Sequence, residues 1–113
     1  MNRRNRLRRA ADIARVRSRG ARAVPPWLVL FATPGEAEAS RVAVPVSRRF
    51  GSAVRRNRLR RQVREALRPQ LADLPGALDI VALPRARAAD AAPGELAAAV
   101  SRGLRQSRAR LTG

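Results

Sequence analysis

The sequence predicts a small α+β domain with its elements in the order α-β-β-β-α-β-α. Three observations carry that class. Apolar residues alternate or run unbroken over residues 27–33, 41–47 and 78–83, which is the pattern of strands. They recur at helical spacing from residue 54 to residue 68 and again beyond Pro93. The length, 113 residues, suits one domain with a modest core, so 1–113 is read as a single unit with a basic N-terminal tail over residues 1–7.

Residues 8–18 read as a first helix. Ile13 and Val16, with Ala10 and Ala14, make a narrow apolar face, and Gly20 stands where a C′ glycine would end it. A brief strand is expected at 22–24, cut off by Pro25-Pro26. The strand at 27–33 alternates Trp27, Val29 and Phe31 with Leu28, Leu30 and Ala32. The connection Pro34-Gly35-Glu36-Ala37-Glu38 makes a hairpin the simplest joint to the strand at 41–47. There Val42, Val44 and Val46 share a face, and Pro45, lacking an N–H, must turn that side of its backbone away from a neighbour or sit at a bulge.

Gly51 turns the chain and Ser52 is suited to cap the next helix. That helix is expected to reach about residue 68, because Pro69 does not continue it cleanly, although Leu71 and Leu74 extend its apolar stripe. In 78–83 the run Ile80-Val81-Ala82-Leu83 predicts a buried strand. Residues 84–92 read as a loop. Pro93 fits the first turn of a last helix whose face is Leu96, Val100, Leu104 and Leu111.

Charge narrows the function. The net charge is +17, with 25 basic residues, all Arg, against 8 acidic ones. Residues 1–22 carry nine Arg against Asp12, and residues 48–68 carry nine against Glu65. Two basic blocks thus bracket a nearly neutral middle, and such clustering points to nucleic acid. A membrane surface fits less well, since the basic helix has no Trp or Phe on its apolar face. No apolar run approaches the roughly 18 residues of a membrane span, and no h-region follows the basic N-terminus, so a cytoplasmic protein is expected. The absence of Cys excludes disulfides and thiolate metal sites.

The second basic block is organised as a helix face. Setting Leu59 at zero and turning about 100° per residue, Val63, Ala66 and Leu67 fall beside it as one apolar stripe. Asn57, Arg60, Arg61, Arg64 and Arg68 share an adjoining arc of about 100°. Arg56, Arg60, Arg64 and Arg68 are spaced i, i+4, so each neighbouring pair repels by about 0.2–0.5 kcal/mol. Arg55, Arg56 and Arg58 crowd the helix N-terminus, where the macrodipole disfavours cations. A polyanion along the face compensates both costs. The competing account is a solvated face inflated by an Arg-rich composition.

The run Arg56-Asn57-Arg58-Leu59-Arg60-Arg61 resembles the Arg-Asn-Arg signature of the bacterial ribonuclease P protein family. Its approach, Val46-Ser47-Arg48-Arg49-Phe50-Gly51-Ser52-Ala53-Val54, is similar to that family's strand end, basic pair, glycine turn and helix entry. The resemblance spans nearly the whole chain. It implies a mixed four-stranded sheet with helices packed on it and a left-handed crossover around the basic helix, where general handedness would favour the right-handed form. It implies that Arg55, Arg56, Asn57, Arg58, Arg60, Arg61, Arg64 and Arg68 contact ribonuclease P RNA. A cleft between the first helix and the sheet would hold the single-stranded 5′ leader of precursor tRNA, through Ile13, Arg17, Phe31, Arg48 and Arg49. The family's first-helix aromatics are replaced here by Ile13 and Arg17; Phe31 keeps its ring, with Trp27 on the same strand face. For both rings core packing is the alternative.

The chemistry agrees with a binding role. A protein nuclease working alone needs a general base, a metal cluster or both. The chain has no His, Cys or Tyr, and its carboxylates Asp12, Glu36, Glu38, Glu65, Asp73, Asp79, Asp90 and Glu95 are spread over different elements. No catalytic or metal-binding residue is therefore assigned to the protein. By the resemblance, the RNA subunit is the catalyst of leader removal, Mg²⁺ is bound by that RNA and the substrate, and no obligate protein partner is implied. A structural RNA-binding protein of ribosomal type is the alternative. A DNA-reading helix module is disfavoured, because Gly51-Ser52 follows a strand and not a first helix.

Overall fold

The computed structural model describes residues 3–112; Met1 and Asn2 of the expected tail, and Gly113, lie outside them. The elements are α1 (Ala10–Arg19), β1 (Ala21–Ala23), β2 (Leu28–Pro34), β3 (Arg41–Ala43), α2 (Ala53–Ala72), β4 (Leu78–Pro84) and α3 (Pro93–Thr112). Short 3₁₀ turns occupy Arg3–Asn5, Arg48–Phe50 and Ala86–Asp90, the last within the expected loop.

The strands form one mixed sheet in the order β1-β2-β4-β3. β2 runs antiparallel to β1 and β4, whereas β3 runs parallel to β4. The expected hairpin between β2 and β3 therefore does not form. β4 inserts between them, because it is buried along nearly its whole length and satisfies a ladder on both sides. β3 is left at the edge, and its regular pairing stops at Ala43, two residues before Pro45. The 35–40 connection is tied instead to the turn before β4: Gly35 N donates to Ala77 O at 2.9 Å, and Leu78 N donates to Ser40 Oγ at 2.9 Å.

Alternation along the strands gives the sheet two faces. Leu28, Leu30 and Ala32 of β2, Val42 of β3 and Leu78, Ile80 and Ala82 of β4 join Leu59, Val63 and Leu67 of α2 and Leu96, Val100 and Leu104 of α3 in the main core. Val44 and Val46 belong to it although they lie past the regular strand. On the opposite face Val16 of α1 packs with Leu7, Ala43 and Val81, with Ile13, Phe31 and Leu83 around them.

Three local expectations need correction. Gly20 does not adopt a left-handed conformation; its φ is −71°. Glycine is required there by close approach, since a Cβ would lie 2.4 Å from Val16 O. Trp27 is not in the strand: it occupies the preceding turn with φ 78° and packs on the main core, whereas Phe31 lies on the opposite face. The turn breaks the two-residue parity that would have placed the rings together. Pro69 removes one helical donor without ending α2, because Leu71 and Leu74 still pack against the core beyond it.

The basic segment before α1 is docked. Arg6 bridges Val42 in parallel, Leu7 N donates to Val42 O at 2.9 Å, and Asn5 Nδ2 donates to Ser40 O at 2.9 Å. The exposed edge of β3 is thereby partly covered.

Leu67 is fully buried among the residues joining α2 to the sheet. Leu67→Ala is expected to cost about 2–5 kcal/mol of stability in urea denaturation. A loss within about 0.5 kcal/mol, the range of an ordinary surface substitution, would refute the packing of α2 through this side chain.

Candidate nucleic-acid interface

The basic helix is launched by a built turn. Ser47 Oγ accepts from Arg49 N at 3.2 Å, Gly51 takes φ 118°, and Ser52 Oγ accepts from Arg55 N at 3.3 Å. The polar N-cap supplies one of the acceptors that the first turn lacks. Burial of Leu59, Val63 and Leu67 then fixes the rotation of α2 and turns its arginine arc outward.

Within that arc Asn57 and Arg60 meet: Arg60 Nη1 donates to Asn57 Oδ1 at 2.6 Å. Arg61 pairs with Glu65 at 3.3 Å across an exposed surface, so part of its charge is answered within the helix. Arg68 is exposed and borders a hollow of about 660 Å³ with Arg4, Asn5 and Ser40. Arg64 is half-buried, and its Nε is buried without a hydrogen-bond partner. Burial, then the positive charges of Arg6 and Arg60, push its guanidinium pKa below the ordinary arginine value. Arg55 and Arg58 are exposed but lie off the arc, and Arg56 is half-buried beside the apolar stripe with its own Nε unpartnered.

Of the residues expected at a single-strand cleft, Ile13 and Arg17 lie on α1 and Phe31 on β2 in the cluster beneath it, whereas Arg48 and Arg49 stand apart in the turn whose Phe50 packs on the main core. Ile13 and Phe31 come together, both half-buried in the second cluster. Arg17 is exposed on α1, and Arg48 and Arg49 are exposed in the 3₁₀ turn before α2.

An ion cluster beneath α1 went unrecognised in the sequence. Asp79 of β4 is fully buried and accepts from Arg15 Nη2 at 2.7 Å, from Arg41 Nη2 at 2.8 Å and from Arg41 Nε at 3.0 Å. Arg15 also lies 3.4 Å from Glu36 and 3.7 Å from Asp12. Burial alone would push the Asp79 carboxyl up, but the hydrogen bonds from Arg41 and Arg15 outweigh it and hold it below the usual carboxylate range. The signal available was one acid inside an otherwise apolar run. The three carboxylates converge on a guanidinium, and among the described residues no group of three or more His, Cys, Asp or Glu side chains is placed to hold a metal ion.

A mixed sheet carrying helices on both faces, with arginines crowded onto one helix, defines a small, strongly basic α+β protein. The family model described as Ribonuclease P matches residues 1–108. The ribonuclease P protein component of Chloroflexus aggregans (strain MD-66 / DSM 9485) is 42% identical over 108 residues, covering 95% of this chain and 80% of the relative. The chain belongs to the ribonuclease P protein component family, which ties it to tRNA processing within the ribonuclease P ribonucleoprotein. The solved RNase P protein from Thermotoga maritima is similar at a TM-score of 0.74 and 28% identity, over 86% of this chain and 92% of that one. The RNase P protein of Staphylococcus aureus shares the fold at a TM-score of 0.77 and 24% identity, over 96% and 98%.

Proposed function

We propose that this chain is the RNA-binding subunit of ribonuclease P, holding the catalytic RNA on the α2 arc and the single-stranded 5′ leader of precursor tRNA beside α1. The observation that carries the reading is the crowding of Arg6 and Arg60 around half-buried Arg64, whose Nε has no partner. A set of cations gathered in this way is stabilised by phosphate oxygens, which accept from guanidinium in bidentate geometry.

Asn57, Arg60, Arg61, Arg64 and Arg68 supply the face, with Arg55, Arg56 and Arg58 reaching RNA that passes the helix N-terminus. Arg48 and Arg49 carry phosphates of the leader, and Phe31, beside Ile13 and with Arg17 one turn further along α1, offers a surface on which a base stacks. Magnesium, held by the RNA and the substrate, supplies activation of the attacking water and charge stabilisation at the scissile phosphate. The protein's own part is electrostatic: a chain of net charge +17 between two polyanions lowers their repulsion and with it the Mg²⁺ needed to bring them together. The compartment that fits this role is the bacterial cytoplasm; among the described residues no helix is long and apolar enough to cross a membrane.

The test is reconstitution with a bacterial ribonuclease P RNA. At low Mg²⁺, 5′-leader cleavage should rise on adding the protein, and RNA-free protein should cleave nothing. No stimulation would favour a structural RNA-binding protein of ribosomal type. Metal-dependent cleavage by the protein alone, abolished by one Asp or Glu substitution, would move the chemistry into the chain.

A further inference from the structure

The pairing of β1 with β2 is antiparallel, with Arg22 directly opposite Phe31. Ala21 and Ala23 on either side pair with Ala32 and Leu30, which belong to the main core, and Ala23 is itself buried. Side chains alternate along a strand, so Arg22 projects from the other face, the one on which Phe31 packs with Ile13. Directly opposite residues in such a pair hold their Cβ atoms about 4.5–5.5 Å apart. Arg22 is exposed, and Phe31 is only half-buried.

The Arg22 backbone is also held from the far side. Arg110 Nη1 of α3 donates to Arg22 O, which ties the three-residue edge strand β1 to the last helix. No acidic side chain takes Arg22 in an ion pair among those found in the described residues: Arg15, Arg41 and Arg61 occupy them. The result is an exposed arginine on an anchored backbone beside a partly open ring.

We propose that Arg22 and Phe31 form a single nucleotide-binding step for the single-stranded leader, the base stacking on the Phe31 ring and the adjoining phosphate accepting from the Arg22 guanidinium. The inference rests on the leader-binding reading above and adds a residue from β1 to it. Two features suit the pair to an unpaired strand. A half-open ring offers a π-face to any base, which gives tolerance of sequence. A planar guanidinium on an edge strand stacks or donates two parallel hydrogen bonds, which an ammonium does not do. The step supplies aromatic and cationic contact from the sheet at a point where the first helix contributes Ile13 and Arg17.

The experiment uses the reconstituted holoenzyme and two substrates, precursor tRNA with a multi-nucleotide 5′ leader and the same tRNA without it. Binding is measured across a salt series for the wild-type protein, Arg22→Ala, Arg22→Lys and Arg102→Ala. Arg102 is exposed on α3, on the other side of the sheet, and removes the same charge. Arg22→Ala should weaken binding of the leader-bearing substrate by roughly three- to tenfold, the scale of one charge-assisted contact at a wet surface. Its slope of log K against log salt should fall by about 0.7, the single-strand value for one phosphate. Binding of the leaderless tRNA should not change. Arg22→Lys should recover the slope but only part of the affinity, and Arg102→Ala should match the wild type on both substrates. Equal losses with and without the leader, or equal effects of Arg22→Ala and Arg102→Ala, would overturn the assignment while leaving the broader reading intact. A wild-type holoenzyme indifferent to the leader would remove both. Circular dichroism melts establish that each variant is folded.

Discussion

Asp79→Asn is expected to destabilise the protein by about 3–5 kcal/mol, the range for breaking a buried ion pair by removing one partner. Asp79 is fully buried, and its carboxylate receives hydrogen bonds from both Arg15 and Arg41. Asparagine keeps the shape and removes the charge, so Arg41 would meet a neutral amide and Arg15 would keep only its longer pairs with Glu36 and Asp12. Arg15 belongs to α1 and Arg41 to β3, so the same change loosens the attachment of α1 to the sheet. The pH dependence has a definite sign. Hydrogen bonds hold the native Asp79 carboxyl below its ordinary value, so the unfolded chain binds its proton first as the solution is acidified. The stabilisation is complete above the unfolded carboxylate value of about 3.9 and is lost as the pH falls from there through the depressed native value. Urea denaturation of the wild type between pH 7 and pH 2 should show that loss, and Asp79→Asn should lack this component. A variant as stable as the wild type at pH 7 would contradict a structural role for the cluster.

The second core, the one under α1, was the less legible of the two. Spacing alone placed Leu59, Val63 and Leu67 on one stripe of α2 and Leu96, Val100 and Leu104 on one face of α3, and all six are buried. Those patterns are local, set by helical period, and a single sequence displays them. The Asp79 cluster is not local: its partners lie 64 and 38 positions away, and nothing in the strand run at 78–83 says which cations will meet the acid. Strand order failed for the same reason. A short connection makes a β2–β3 hairpin look natural, but the deeply apolar β4 takes the centre, and β3, whose pairing ends at Ala43 before Pro45, is left at the edge.

At the candidate interface the helix arc was legible and its energetics were not. The sequence places Asn57, Arg60, Arg61, Arg64 and Arg68 together. The Arg61–Glu65 pair is an i, i+4 contact that the spacing allows, but nothing in the sequence reveals that Arg6 comes from the N-terminal segment to crowd Arg64. Trp27 failed for a backbone reason: one residue with φ 78° reverses the face that alternation would assign. Phe31 remained in the strand and kept its face.

The crowding of Arg64 leads to opposite effects on folding and on binding. Its charge is disfavoured by burial and by Arg6 and Arg60, and its Nε has no partner. Arg64→Ala should therefore leave the free protein as stable as the wild type or raise its melting temperature, since a penalised cation and its i, i+4 repulsion from Arg60 both disappear. The same variant should bind ribonuclease P RNA more weakly, with a slope of log K against log salt reduced by about 0.7–0.9 because one fewer phosphate is neutralised. Arg60→Ala should act in the same direction, and the double variant should reduce the slope by about 1.4–1.8 if the two side chains hold separate phosphates. Gln62 is half-buried on α2 outside the arc, so Gln62→Ala should leave the slope unchanged. Filter binding across a salt series reads the slopes, and thermal melts without RNA read the stability. A marked fall in melting temperature for Arg64→Ala would mean that its aliphatic stem, not its charge, governs its place in the fold. Arg64→Ala and Gln62→Ala weakening RNA binding alike would remove the selective face and leave a diffuse electrostatic coat in its place.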